Sequence, residues 1–208
     1  VDADVTDDAS MDAAFARIWT LNEAEGVLEL QASAGMYTHL DGPHSRVNVG
    51  EFKIGRIAKS RQPHLTNAVP DDPNVGDREW AKREGMVAFA GYPLVVNDRV
   101  LGVVAMFARR PLSDAVLTDL APLAEGIGQY LERIRVEAAL QASEAHFRSM
   151  ADNAPTMLWV TDPTGHCTYL SRQWYAFTGR TAEQDLGLGW LENVHPDDRQ
   201  HATDIFLK

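Results

Sequence analysis

Cys167 is the residue best equipped for covalent chemistry, because a thiolate is both a nucleophile and an attachment point for a prosthetic group. It is the only cysteine in 208 residues. A single thiol excludes an intrachain disulfide, a zinc site built on several thiolates and a two-cysteine redox couple. Its neighbours, Cys167-Thr-Tyr-Leu170, read as a strand, where a cysteine serves equally as a small buried hydrophobe. His195, in the run His195-Pro-Asp-Asp-Arg199, reads as turn or capping chemistry. His201 follows on a helix-like stretch and reads as an exposed helix histidine. No His/Asp metal cluster and no Ser/His/Asp spacing stands out, and Gly187-Leu-Gly189 lacks the strand–loop–helix setting of a phosphate loop. The chain is therefore read as non-enzymatic, with no metal; the cofactor is unknown and none is expected.

Charge narrows the partners. Nineteen Lys and Arg face 30 Asp and Glu, a formal net charge of -11. This argues against nucleic acid or an anionic membrane surface, both of which need a basic patch. The longest apolar stretch, Met86 to Val96, is broken by Gly91 and Pro93 and is far short of the roughly 20 residues of a membrane helix. A cytoplasmic, reducing setting is expected. The acidic cluster Asp2, Asp4, Asp7 and Asp8 reads as a solvated N-terminal turn, with residues 1–11 frayed.

The elements that must position these residues follow from periodicity. Phe15-Ala-Arg-Ile-Trp-Thr-Leu21 alternates like a half-buried strand, and Val27 to Ala32 reads as its hairpin partner. Val47 to Gly50 is a short edge, and Ile54 to Ser60 is a helix closed by Pro63. Asp71 to Asp77 is a polar loop before a short helix, Arg78 to Glu84. Met86–Val96 and Val100–Ala108 are two apolar strands turning at Asn97-Asp98-Arg99. The sum is an antiparallel sheet with helices packed on it, an α+β domain. Ser113-Asp114 starts a helix, with a kink expected near Pro122. From Leu123 the helix continues to Ala151 with apolar or small residues at Ile127, Leu131, Ile134 and Ala138, and with Gln141 as one polar position. That spacing is a heptad seam. The first turns suit the helix's own sheet; beyond Arg133 the seam suits a homodimer.

Residues about 12 to 135 resemble a GAF domain, on the strength of Phe15–Leu21, Gly50 through Gln62, Glu84-Gly-Met86, Tyr92 through Val104 and Arg110-Pro-Leu-Ser113. From Phe147 the chain resembles the first half of a PAS domain, carried by Asp152-Asn-Ala-Pro155, Trp159-Val-Thr-Asp162, Gly165, Phe177-Thr-Gly179 and His195 to Arg199. The expected organisation is a GAF-like unit over 1–135, a linker helix over 113–151 and a truncated PAS-like unit over 147–208. In the latter, strands Met157–Thr161 and Cys167–Leu170 meet at Asp162-Pro-Thr-Gly165, and the face carrying Leu158, Val160 and Tyr169 is expected to lie incompletely covered.

The resemblance implies the input region of a bacterial signalling protein, most often a sensor histidine kinase and otherwise a cyclic-dinucleotide enzyme. It places His64, Asn67, Trp80, Met86 and Phe89 near the family's small-molecule cavity, with the last three serving equally as core. The Asn-Lys-x-x-Phe pattern of cyclic-nucleotide GAF domains is missing, and GAF-fold methionine sulfoxide reductases need several cysteines. A bilin, flavin or haem sensor is the alternative. Bilin-binding GAF domains attach the pigment to a cysteine, and Cys167 lies outside the GAF-like segment.

Overall fold

The computed structural model describes residues 14–42 and 44–206, so the acidic cluster at 2–8 lies outside the described residues. The chain divides into two compact units, Val1–Arg135 and Val136–Lys208.

The first unit is built on a six-stranded antiparallel sheet. Its strands are β1 (Ala14–Asn22), β2 (Val27–Gly35), β3 (Arg46–Asn48), β4 (His64–Thr66), β5 (Ala88–Val96) and β6 (Arg99–Ala108), in the order β3-β2-β1-β6-β5-β4. β1 therefore sits inside the sheet, where its alternation assigns side chains to two different layers. Phe15, Trp19 and Leu21 join the larger core with Leu28, Val103 and Phe89. Ile18, one residue out of phase, joins a smaller cluster on the opposite face with Leu94, Leu101 and Val104. The β5–β6 turn is tight because Asn97 (φ 48°) and Asp98 (φ 61°) both adopt the left-handed conformation that matches the twist of a two-residue hairpin.

Two helices, α1 (Phe52–Ser60) and α2 (Arg78–Arg83), accompany the larger core. α1 begins two residues earlier than the apolar spacing indicates. It stops where Arg61 turns left-handed (φ 58°) and donates its N–H to the Ile57 carbonyl. Asp77 caps α2, accepting a 2.8 Å hydrogen bond from the Trp80 N–H.

The third helix, α3, runs without a break from Ala115 to Asn153 and passes through Pro122. At 1.5 Å per residue its 39 residues span about 58 Å. Ala124, Ile127 and Leu131 pack on the outer face of the sheet against Leu94, Leu101 and Val104. This corrects the expectation for Ile127 and Leu131: the helix's own sheet takes them, because the outer ends of β1, β5 and β6 carry apolar residues that need a cover. Ile134, Ala138 and Gln141 remain exposed, as do Val136 and Leu140.

In the second unit, β7 (Trp159–Thr161) and β8 (Cys167–Leu170) form a two-stranded sheet. Asp162 organises their turn, accepting hydrogen bonds from the N–H groups of Thr164 and His166. Leu158 and Val160 are exposed as expected, whereas Tyr169 is half-buried and donates a 2.7 Å hydrogen bond to Asp152. Short helices α4 (Arg172–Thr178), α5 (Ala182–Asp185) and α6 (Arg199–Phe206) follow. α4, α5 and the turn at 189–193 gather around Asp185, a fully buried carboxylate that receives Trp174 Nε1 at 2.7 Å, Arg180 Nε at 2.5 Å and Asn193 Nδ2 at 3.0 Å. A buried charge is tolerable because it is both paired and hydrogen-bonded.

Two glycines distinguish close packing from open backbone. A Cβ on Gly102 would lie 2.0 Å from the Trp19 carbonyl oxygen, whereas a Cβ on Gly126 would meet nothing. Gly102→Ala is expected to cost about 3 kcal/mol or more, since backbone must move. Gly126→Ala, in the interior of α3, is expected to stabilise by about 0.5–1 kcal/mol. Urea unfolding of both variants checks the pair.

Candidate functional site

On the inner face of the first unit the sheet, α1 and the loops around α2 enclose a cavity of about 220 Å³. Four rings form a box in it. Phe15 stacks on Phe107 with centroids 5.2 Å apart and meets Tyr37 edge-on at 5.2 Å; Trp80 stands edge-on to both Phe15 and Phe107, at 5.8 and 5.7 Å. Such contacts fix ring positions beyond simple burial. Sheet register explains the arrangement, because Phe15 and Phe107 are direct cross-strand partners. Trp19 lines the cavity as well, and its indole N–H donates to the His44 carbonyl at 3.0 Å.

The polar lining comes from several elements: Arg17 on β1, His39, Asp41 and His44 before β3, Lys53 on α1, and Asn74 and Asp77 beside α2. Lys53 is almost fully buried yet neutralised. Its ammonium bonds Asp72, lies 3.1 Å from His64 Nε2 and stands 5.3 Å above the Phe89 ring. Burial pushes the Asp72 carboxyl up, but the hydrogen bonds from Lys53 and Asn74 outweigh it and hold the group below its usual range. The Lys53–Asp72 pair ties the start of α1 to the loop that closes the cavity, and the Lys53 N–H adds a 3.0 Å bond to the Asn74 carbonyl.

Of the five residues singled out in the sequence, Trp80 lines the cavity. Met86 and Phe89 are fully buried core, Phe89 lying one layer behind the box with its ring 5.0 Å from Phe107. His64 is exposed on the edge strand β4 beside Lys53. Asn67 is committed elsewhere, exchanging hydrogen bonds of 3.0 and 2.8 Å with the backbone of Leu112. Arg17, Tyr37 and His44 are among the lining residues that sequence reasoning did not single out. The signal for Arg17 was present: it shares the β1 face of Phe15 and Trp19.

The second unit has an apolar cavity of about 190 Å³ formed by Trp159, Cys167, Leu170, Trp174, Trp190 and Phe206, with Val194. Cys167 is buried, its thiol raised chiefly by desolvation, which suits a core residue and not a nucleophile. His195 and His201 are exposed and lie outside that lining. Among the described residues, no group of three or more His, Cys, Asp or Glu side chains is placed to hold a metal ion, and no helix is long and apolar enough to cross a membrane.

Residues 4–132 match the family model described as the GAF domain, and residues 145–208 match that of the PAS fold. An uncharacterized protein of Sinorhizobium fredii, y4lL, is 39% identical over 146 residues, covering 67% of this chain and 17% of that protein. The peroxide stress-activated histidine kinase mak1 of Schizosaccharomyces pombe is 30% identical over 67 residues, 32% of this chain and 4% of its own length. The chain thus spans less than a fifth of the length of these curated relatives. Among solved structures, the GAF domain of a phosphoenolpyruvate-protein phosphotransferase from Coxiella burnetii aligns with a TM-score of 0.54 at 19% identity, over 61% of this chain and 76% of that one. That likeness is one of fold.

His44 in the cavity lining and His64 beside Lys53 give the first unit a pH signature. Burial lowers the affinity of His44 for a proton, Arg17 lowers it further, and Asp77 opposes. Burial and then Lys53 do the same to His64, against Asp72. Both imidazoles therefore take up a proton at lower pH in the fold than in the unfolded chain, which does so near pH 6.5. Below that pH the unfolded state binds more protons, so stability falls as pH drops from about 6.5 towards the lowered native values. The Asp72 contribution is lost at still lower pH, as pH falls through its depressed native value. Thermal melts at pH 7.5 and 5.5 are expected to show this loss, with a smaller loss in His64→Gln; an unchanged slope in that variant would contradict the assignment. With the matched segments, the sheet and the cavity described, the chain belongs to the GAF domain family and carries a PAS fold behind its GAF domain.

Proposed function

We propose that this chain is a non-catalytic input region of a signalling protein, in which a small molecule occupies the GAF cavity and α3 reports the occupancy. GAF and PAS domains are sensory modules, and the matches to both support that role. One observation carries the rest: β1 serves the cavity with one face and α3 with the other. Phe15, Arg17 and Trp19 line the cavity, while Ile18 packs against the same Leu94, Leu101 and Val104 cluster as Ile127 and Leu131 of α3. A ligand that shifts β1 by a fraction of an ångström has to repack the helix seat, because close-packed interiors do not deform continuously. The shift is limited to the ligand's differential affinity for the two arrangements.

The output is proposed to be a histidine kinase. The partial match to the fission-yeast kinase supports this, although it covers 4% of that protein. Relay to such an output needs a paired element, and the exposed half of α3 provides the surface. Beyond Arg133 the seam face presents Ile134, at 44% exposure, with Ala138 and Gln141 at i+4 and i+7, while Val136 and Leu140, at 55% and 60%, stand on the opposite side of the helix. An apolar stripe of this kind associates in preference to remaining wet. Two copies of the chain are proposed to pair along it, with Ala138 and Gln141 at the seam.

Sedimentation of residues 1–208 at high micromolar concentration tests the relay. A dimer is expected for the natural sequence and a monomer for Ile134→Asp combined with Ala138→Asp. The GAF unit should keep its melting temperature in that variant, since neither side chain belongs to its core. A monomeric natural sequence at that concentration would contradict the paired helix.

A further inference from the structure

The cavity floor holds a charge where the strand's own alternation calls for an apolar side chain. Arg17 shares the inward face of β1 with Phe15 and Trp19, which are 4% and 2% exposed. Its direct cross-strand neighbours are small, Ser33 on β2 and Ala105 on β6, which leaves room above the strand for a guanidinium. One edge of that group is tethered. Nε donates to Ser33 Oγ at 3.1 Å, and Ser33 Oγ donates to the Tyr37 carbonyl at 2.5 Å. Its plane is steadied by aromatic faces, with the guanidinium carbon 5.2 Å from the Phe15 centroid and 6.0 Å from that of Tyr37.

What is missing is a counter-charge. Among the described residues Arg17 has no carboxylate partner, and its Nη groups carry no hydrogen bond. Burial lowers its pKa, with Tyr37 the opposing influence. The cavity's other buried cation behaves differently, because Lys53 has Asp72 and His64. A half-buried, unpaired cation costs free energy in the empty protein. Such groups persist where a ligand restores the pairing.

We infer that Arg17 is the anion-recognition residue of the cavity, and that the ligand is a small monocarboxylate whose apolar body packs in the cavity against the rings of Phe15, Tyr37, Trp80 and Phe107. The inference rests on the sensory reading of this cavity and names its ligand class. A guanidinium fork with Nε tethered still offers Nη donors, which suit the planar, two-oxygen geometry of a carboxylate. The volume of about 220 Å³ exceeds the about 150 Å³ of a cavity that accepts benzene, so the body is of benzene scale. Asp41 and Asp77 on the same lining disfavour a second negative charge on the ligand, which limits it to one carboxylate. The chain's net charge of -11 repels anions in general, so selection falls to this local cation.

Calorimetric titration with matched probes tests the inference: benzoate against benzamide, and 3-methylbutanoate against 3-methylbutanamide. In the natural sequence each acid is expected to bind about tenfold or more tighter than its amide, the worth of a charge-assisted contact in a desolvated site. Arg17→Met is expected to abolish that preference, weakening the acids much more than the amides, whose neutral carbonyl loses only an uncharged contact. Its melting temperature without ligand should equal or exceed that of the natural sequence, because an unpaired charge is gone. Arg17→Lys, which keeps the charge and loses the fork, should retain a weakened preference for the acid. Acid and amide binding equally to the natural sequence would overturn the ligand class and leave the sensory cavity standing. No binding by any of the four probes would overturn both. A large loss of stability in Arg17→Met, together with an unaltered acid preference in Arg17→Lys, would make Arg17 a structural residue and overturn the inference.

Discussion

The alternation of side chains along one inner strand is the constraint on which the rest of the first unit depends. β1 is hydrogen-bonded on both sides, to β2 and to β6, so it cannot slide without breaking two ladders. Its register fixes Phe15 opposite Phe107 and Trp19 opposite Val103, which sets one end of the aromatic box. The same register points Ile18 to the opposite layer, where α3 lies. Cavity and helix are therefore two faces of one element, separated by the thickness of a sheet. The cross-strand contact between Gly102 and the Trp19 carbonyl keeps the backbones there in close approach. That closeness is what makes β1 a stiff connection.

The charges follow the same logic. Inside the first unit, Lys53 and Asp72 form a buried pair that closes the cavity wall, and the cost of burying both is met by their mutual bond and by His64 and Asn74. Arg17 is the exception on the strand face itself. In the second unit Asp185 does for the PAS helices what Lys53 does for α1, collecting Trp174, Arg180 and Asn193 about one buried carboxylate. The open face at Leu158 and Val160 and the exposed seam of α3 are where this chain leaves apolar surface without a partner of its own.

Much of this was legible in the sequence. The periodicity of Phe15 to Leu21, the Asn97-Asp98 turn between two apolar runs, and the polar turn at Asp162 each have a local physical cause, and each appears where the pattern indicates. The strand His64–Thr66 was not legible, because three residues carry no period and its pairing with β5 is a tertiary fact. The cavity was half legible. Trp80 lines it, whereas Met86 and Phe89 lie in the core behind the wall and Asn67 serves the Leu112 backbone. Spacing does not tell a wall from the layer behind it. Ile127 and Leu131 show the same limit: a 3/4 repeat marks a helix face that must be covered, and the sheet, not a second helix, covers its first turns.

The central claim is that occupancy of the cavity is felt through β1 at the seat of α3. The six isoleucines of the chain report on it well, since Ile54 lines the cavity and Ile18 and Ile127 pack against one cluster on the far face of the sheet. Methyl NMR of isoleucine-labelled protein, titrated with benzoate, is the direct measurement. The account predicts that the Ile54, Ile18 and Ile127 methyls shift together with one dissociation constant. A titration in which Ile54 shifts to saturation while Ile18 and Ile127 stay fixed would contradict it.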